Sequence, residues 1–377
     1  MSSPTTACAF FGWLLISVMV AHGAESSTSP IPCERPIWYP VDRTLQLSGD
    51  GQTLVWVRVR ERNVLLCRLF APFTGARGEL PLGPADQPLP TVRLSFDGRH
   101  AFWSKGAEVW HAALEKDRLE QPTRLPVKAG LFDLQCNADG SVLSMLIDGP
   151  DSPKLSPSYR VVATAYRTQS DWIQPPPLTA VEHGKLAEGV LLDGQGRYLI
   201  FTLGAPKQAV LSHEGWNISP LKFPGYAVSP AALSVDGQVL LLRGRKADEQ
   251  PVRPEIANLS HVWLSRRAKD QWQTPELVLR DRAVNYYNLA MSPDGRWLAW
   301  VEFERDEKMN ILSTRLRRMC HERQGWREPQ TVTGQDGCLE VENTCIADDG
   351  TVAWSTSAGE HCKGYVQTPG GKAICLD

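Results

Sequence analysis

The sequence predicts an all-β fold, a seven-bladed β-propeller of four-stranded antiparallel blades, with six blades the alternative. Three observations lead there. One glycine-closed turn recurs seven times, the residues flanking it alternate apolar and polar with period two, and a Trp-x-x-Pro spacing follows downstream of several copies.

The turns are LSGDG ending at Gly51, LSFDG at Gly98, CNADG at Gly140, LDGQG at Gly196, LSVDG at Gly237, MSPDG at Gly295 and IADDG at Gly350. Their glycines lie 41 to 58 residues apart, the span of one four-stranded blade with loops of variable length. A turn with Ser, Asn or Asp first, Asp third and Gly last reads as a type I turn whose final residue is left-handed, closing a hairpin. Six of the first residues, Ser48, Ser95, Asn137, Asp193, Ser234 and Ser292, can bond the turn's own backbone, and Ala347 cannot.

One residue before each turn stand Leu47, Leu94, Cys136, Leu192, Leu233, Met291 and Ile346. Three after each Gly come Leu54, Ala101, Leu143, Leu199, Leu240 and Leu298, and five after it Trp56, Trp103, Met145, Phe201, Leu242 and Trp300; the seventh unit runs one short, with Val352 and Trp354. All are expected in the core, which makes Cys136 a buried thiol or half-cystine rather than a nucleophile.

Trp172 to Pro175, Trp272 to Pro275 and Trp326 to Pro329 share one spacing, Leu119 with Pro122 echoes it, and Trp216 with Pro220 is one longer. Proline fits an outermost strand, whose free edge can lose an N–H, and the tryptophan can cover that edge. These tryptophans are read as structural.

A blade cannot bury both faces alone, so the units must stack about an axis. Closure is expected between a strand at Ile37 to Tyr39 and the final hairpin near Val366 and Ile374, or within one blade. Residues 1–23 read as a signal peptide, 24–36 as an N-terminal segment and 37–377 as a single propeller domain. The leader is an apolar run of 13 residues, Ala9 to Ala21, followed by small residues at Ala21 and Gly23. It predicts a periplasmic or secreted protein with no membrane span in the mature chain, an uncleaved anchor being the alternative. Formal net charge of -2 and a pI near 6.5 leave no basic field for nucleic acid.

Outside the leader eight cysteines remain. A hairpin turning at Pro369-Gly370-Gly371 is expected to join Cys362 and Cys375 as a disulfide.

The units LSFDGRHAFW and MSPDGRWLAW resemble the WD-repeat-like propeller repeat of the TolB family, over nearly all of the mature chain. The resemblance implies an exported bacterial propeller. It departs from TolB in entering its first blade soon after the leader, without an N-terminal α/β domain, and in showing seven turns.

No G-x-S-x-G, HExxH or phosphate loop occurs, so no catalytic residue, metal ligand or cofactor is assigned. A ring five residues before each turn, Arg43, Pro90, Phe132, Glu188, Ser229, Tyr287 and Glu342, varies from blade to blade as recognition at a channel mouth would require. Arg43, Phe132, Glu188, Tyr286, Tyr287 and Glu342 are the candidate binding residues. The reading is a non-catalytic, monomeric envelope propeller that binds a protein or peptide. The alternative is a glycan lyase or hydrolase using groups such as Glu188, Glu342 and His183 at the channel mouth.

Overall fold

The computed structural model describes residues 45–376 except 61–62, 75–77, 85–90, 106, 116–117, 129–132, 149–159, 170, 180–186, 250–260, 281–283, 306–310, 333–340 and 359–360. The leader, Arg43, Phe132, His183 and the strand expected at Ile37 to Tyr39 lie outside the described residues. Among those described, no helix is long and apolar enough to cross a membrane.

Seven antiparallel sheets follow one another around a ring, each built from one continuous stretch of chain. The innermost strands of blades 1 to 7 are Leu45–Leu47, Val92–Leu94, Leu134–Cys136, Ala187–Leu192, Tyr226–Leu233, Val284–Met291 and Val341–Ile346. Each passes through one of the predicted turns into a second strand, then a third, then an outermost one. In blades 2, 5 and 6 the outermost strand is in two pieces, both paired to the third strand, as with Gln271–Trp272 and Glu276–Leu279 on either side of Pro275.

The alternation explains the core. Leu54, Ala101, Leu143, Leu199, Leu240 and Leu298 are all 0% exposed, and the row two residues further on is at most 5% exposed. In blade 7, Val352 and Trp354 take the same places. Each sheet buries both faces against its neighbours. A single Trp300 or Trp354 truncated to Ala at such a site costs about 3–5 kcal/mol. The row one residue before the turn differs from the expected core: Leu47, Cys136, Leu192, Leu233 and Met291 are only half-buried. Leu192, Leu233, Met291 and Ile346 face the central channel, because an innermost strand has the ring axis on its free side.

The turns do more than close hairpins. All seven glycines adopt φ between 65° and 83°, where residues with a Cβ are strained. The serine hydroxyl donates to the turn's Asp at 2.5–2.6 Å and accepts the N–H that opens the second strand at 2.8–2.9 Å. Asn137 and Asp193 accept the same N–H through their side-chain oxygens.

Neighbouring turns are then joined in a closed belt. Gly49 donates to the Phe96 carbonyl, Asp97 to Ala138, Ala138 to Gly194, Gly194 to Val235 and Val235 to Pro293, at 2.6–3.1 Å. Pro293 has no N–H to pass on, so Asp294 donates instead, to the Asp348 carboxyl oxygen at 2.7 Å. Asp348 N–H closes the ring on the Gly49 carbonyl at 2.9 Å. Blade 7 packs on blade 1 through Ala353, Val366 and Leu376 against Leu54, Cys67 and Leu69. Among the described residues, closure is made by packing of blade 7 on blade 1.

The outer-strand tryptophans Trp172, Trp216, Trp272 and Trp326 each reach back to the preceding blade. Trp216 Nε1 donates to the Tyr166 hydroxyl and Trp272 Nε1 to the Tyr198 hydroxyl, both at 2.7 Å. Trp172 stands edge-on to Phe102, 5.9 Å between centroids, and Trp326 packs with Leu241 and Val262 of blade 5.

The final hairpin forms where it was expected, with Tyr365 opposite Cys375. That register corrects the disulfide. Cys362 lies three residues along the strand from Tyr365, roughly 10 Å at strand rise, whereas a disulfide needs Cα atoms about 4.4–6.8 Å apart.

Candidate functional site

The innermost strands enclose a central cavity of about 530 Å³ that every blade lines. Apart from Pro293 within the blade 6 turn, the cavity wall spans one to four residues counted back from the first residue of each turn, from the belt toward the opposite face. Its composition divides by blade. Two residues before the turn stand Gln46, Arg93 and Gln135 in blades 1 to 3, but Leu191, Ala232, Ala290 and Cys345 in blades 4 to 7. Thr91, Asn288, Asn343 and Thr344 add polar groups, while Ala231 and Leu289 widen the apolar arc.

A buried ionic cluster braces the polar arc. Arg93, 4% exposed, donates to the Val92 carbonyl at 3.3 Å and sits 3.8 Å from an Asp133 carboxyl oxygen. Asp133 also accepts from Gln135 Nε2 at 3.2 Å and from Val190 N–H at 2.8 Å. The pair's charges offset each other in a setting where a lone buried charge would be costly. The cluster ties blades 2, 3 and 4 together at the channel wall.

Bulges set the mouth of the channel. The innermost strands of blades 4 to 7 shift register at Glu188/Val190, Pro230/Ala232, Tyr287/Ala290 and Val341/Asn343, whereas those of blades 1 to 3 pair without a shift. A bulge leaves a residue out of the ladder and re-aims its neighbours. In blade 4 the extra residue is Gly189, with φ of 55°, and Val190 N–H is free to reach Asp133. In blade 6 Asn288 takes φ of 47° and its side-chain amide donates to the Val341 carbonyl of blade 7.

The ring predicted from sequence falls on these bulges in blades 4 to 7, just beyond the cavity wall. Glu188 pairs with Thr202, Tyr287 with Val301, and Glu342 lies between Val341 and Asn343; their side chains are outside the described residues. Tyr286 is placed elsewhere: 8% exposed, it packs with Leu298 and Trp300 between blades 5 and 6 and donates its hydroxyl to the Arg280 carbonyl at 2.9 Å. Sequence reasoning missed Gln46, Arg93, Asp133, Gln135 and Asn343. The signal existed three columns nearer the turn in the same internal alignment, where polar and apolar residues separate by blade.

Two thiols line or adjoin the wall, and burial pushes both Cys136 and Cys345 up to about 12. They are poor nucleophiles. Away from the channel, His100 and His111 share a hydrogen bond at 3.0 Å, His111 stacked 4.9 Å from Phe102. Burial, then His100 and Arg167, lower His111 to about 4. Among the described residues no group of three or more His, Cys, Asp or Glu side chains could hold a metal ion.

No protein-family model matches the sequence, and no curated protein matches it either. Solved structures do resemble this fold. The β-propeller domain of the Trilobed protease from Pyrococcus furiosus, described as having an open velcro topology, superposes with a TM-score of 0.55 at 12% identity, covering 89% of this chain and 96% of that one. The Myceliophteria thermophila Cps50 (Swd1) β-propeller domain gives 0.54 at 10% identity, over 88% of this chain and 98% of that one. Pyrococcus horikoshii acylaminoacyl peptidase gives 0.55 at 12% identity, over 89% of this chain and 54% of that one. At such identities the likeness is one of fold, and the protein is a β-propeller. The TolB-like character of the repeat extends that far.

Proposed function

We propose that this protein is an exported, non-catalytic propeller that holds an extended segment of an envelope protein or peptide at the mouth of its central channel. One observation carries the reading: two residues before the turn, the channel wall is polar in blades 1 to 3 and apolar in blades 4 to 7. An extended peptide has the matching division, with main-chain amides that hydrogen-bond and side chains that bury. The carboxamides of Gln46, Gln135, Asn288 and Asn343 face the first need, and Leu191, Ala232 and Leu289 the second. The bulged mouth supplies positions that vary between blades without disturbing the belt behind them. Cys136 and Cys345, with thiols held near 12, suit a wall rather than a reaction centre.

The test is paired capture from envelope extract with the full chain and an Ala232→Trp variant, whose indole fills the cavity from blade 5. A partner retained by the wild type and lost by the variant, at unchanged melting temperature, supports channel binding. Equal capture by both refutes it. Fractionation of cells making the full chain tests export, expected to place it outside the cytoplasm.

A further inference from the structure

We propose that the outer edge of blade 4 is a self-association surface, on which a second copy of this chain pairs strand against strand. The seven outer edges are not alike. In blade 1, Gly78–Pro84 carries Pro81 and Pro84. In blades 2, 3, 5 and 6 the first piece has two residues and a proline follows closely, and in blade 7 Ile374–Cys375 has two residues. Short strands and prolines blunt an edge against pairing. Blade 4 instead has six regular positions, Gly215–Pro220, with no charged residue and its proline only at the end. The extra residue between Trp216 and Pro220 noted in the sequence makes that length.

Main-chain groups point outward along this edge. Leu221 N–H turns inward to the Pro206 carbonyl at 3.0 Å, so with period two Trp216 and Ile218 present their N–H and C=O groups away from the sheet. Among the described residues no strand pairs with that edge. The same region holds two of the exposed large apolar side chains of the described residues, Ile218, 39% exposed, on the outermost strand of blade 4 and Ile173, 55% exposed, on the outer strand of blade 3, while Val210, 39% exposed and opposite Asn217, lies on the other face. Ile173 is opposite Tyr166, whose hydroxyl receives Trp216 Nε1–H. Edge and apolar patch therefore coincide.

The strand is complementary to itself. A two-fold axis through Asn217, normal to the sheet, sets Trp216 against Ile218 of the partner subunit and Ile218 against Trp216 of the partner subunit. Both are outward-facing positions, so four main-chain hydrogen bonds form and the two apolar pairs share one face. Asn217 then meets its own copy on the other face. A single added strand pair is a small interface, which implies a weak, concentration-dependent dimer in place of the monomer expected from sequence. This proposal stands apart from the channel reading.

Sedimentation velocity on the full chain, loaded from about 1 to about 100 µM, should show the mass rising from one copy to two. Asn217→Lys and Asn217→Glu, each placing like charges across the axis, should remain monomeric at every loading. Mixed in equal amounts they should restore the dimer. Ile218→Pro, which removes an outward N–H and the apolar side chain but no ladder hydrogen bond within the blade, should also be monomeric with an unchanged circular dichroism spectrum. A wild type that stays monomeric overturns the proposal, as does an Asn217→Lys variant that dimerises normally or a mixture that stays monomeric.

Discussion

Asp294 donates its main-chain N–H to the carboxylate of Asp348 at 2.7 Å, the one belt link of seven that ends on a side chain. Burial, with Asp294 and Asp349 adding like charge, raises the Asp348 carboxyl to about 6. A folded value above the unfolded one means that this group stabilises the ring when protonated, and that the contribution is lost as pH rises from about 4 through about 6. His111, lowered to about 4, works in the opposite sense, losing stability as pH falls below its ordinary value. The reading is therefore the difference between wild type and Asp348→Asn, which keeps an acceptor oxygen without charge. The variant should be more stable at pH 7 by on the order of 1 kcal/mol after allowance for solvent screening, the gain vanishing by pH 4 in urea titrations.

Ser234 Oγ accepts Val239 N–H at 2.8 Å and donates to Asp236, fully buried. Ser234→Ala should cost about 1–3 kcal/mol by leaving that N–H unsatisfied. The converse change, Ala347→Ser, should bring no corresponding gain, because that turn is one residue shorter, Ala347 is fully buried and Thr351 N–H already bonds the Asp349 carboxylate at 2.8 Å. Denaturant midpoints at unchanged slope check both.

Trp272 and Trp216 fasten blades 5 and 4 to the blades before them through tyrosine hydroxyls. Trp272→Phe keeps most of the packing and loses one hydrogen bond, so it should cost about 1 kcal/mol. Combined with Tyr198→Phe, the two changes should cost less than their sum, since the second removes the orphaned partner. Additive losses would show the contact carries no coupling.

Thiols held near 12 contain almost no thiolate at neutral pH. Cys136 and Cys345 should resist iodoacetamide at pH 8 in the folded protein and label on unfolding, as peptide mass mapping would show.

Much of this architecture was legible because a propeller repeats its demands. Each turn needs a left-handed residue, so glycine marks every blade, and each second strand must bury the same two positions, which Leu54 with Trp56 and Leu298 with Trp300 fill alike. The channel was less legible. A fixed offset from the turn names one face only while the ladder stays in register, and the bulges of blades 4 to 7 break it. Tyr286 and Tyr287 show the consequence, since Tyr286 enters the core while its neighbour pairs at the edge of a register shift. The Arg93–Asp133 pair joins residues from two blades, a relation that no spacing within one repeat encodes. The Pro293 substitution of carboxylate for carbonyl was visible only once the belt itself was seen.

The central claim is a closed ring of seven blades, and amide hydrogen exchange at Asp348 tests it most directly. Its N–H closes the belt on the Gly49 carbonyl. It should be protected to about the same degree as Gly194 N–H, midway around the ring. Exchange at Asp348 as fast as in an unprotected loop, with Gly194 still protected, would contradict a closed ring.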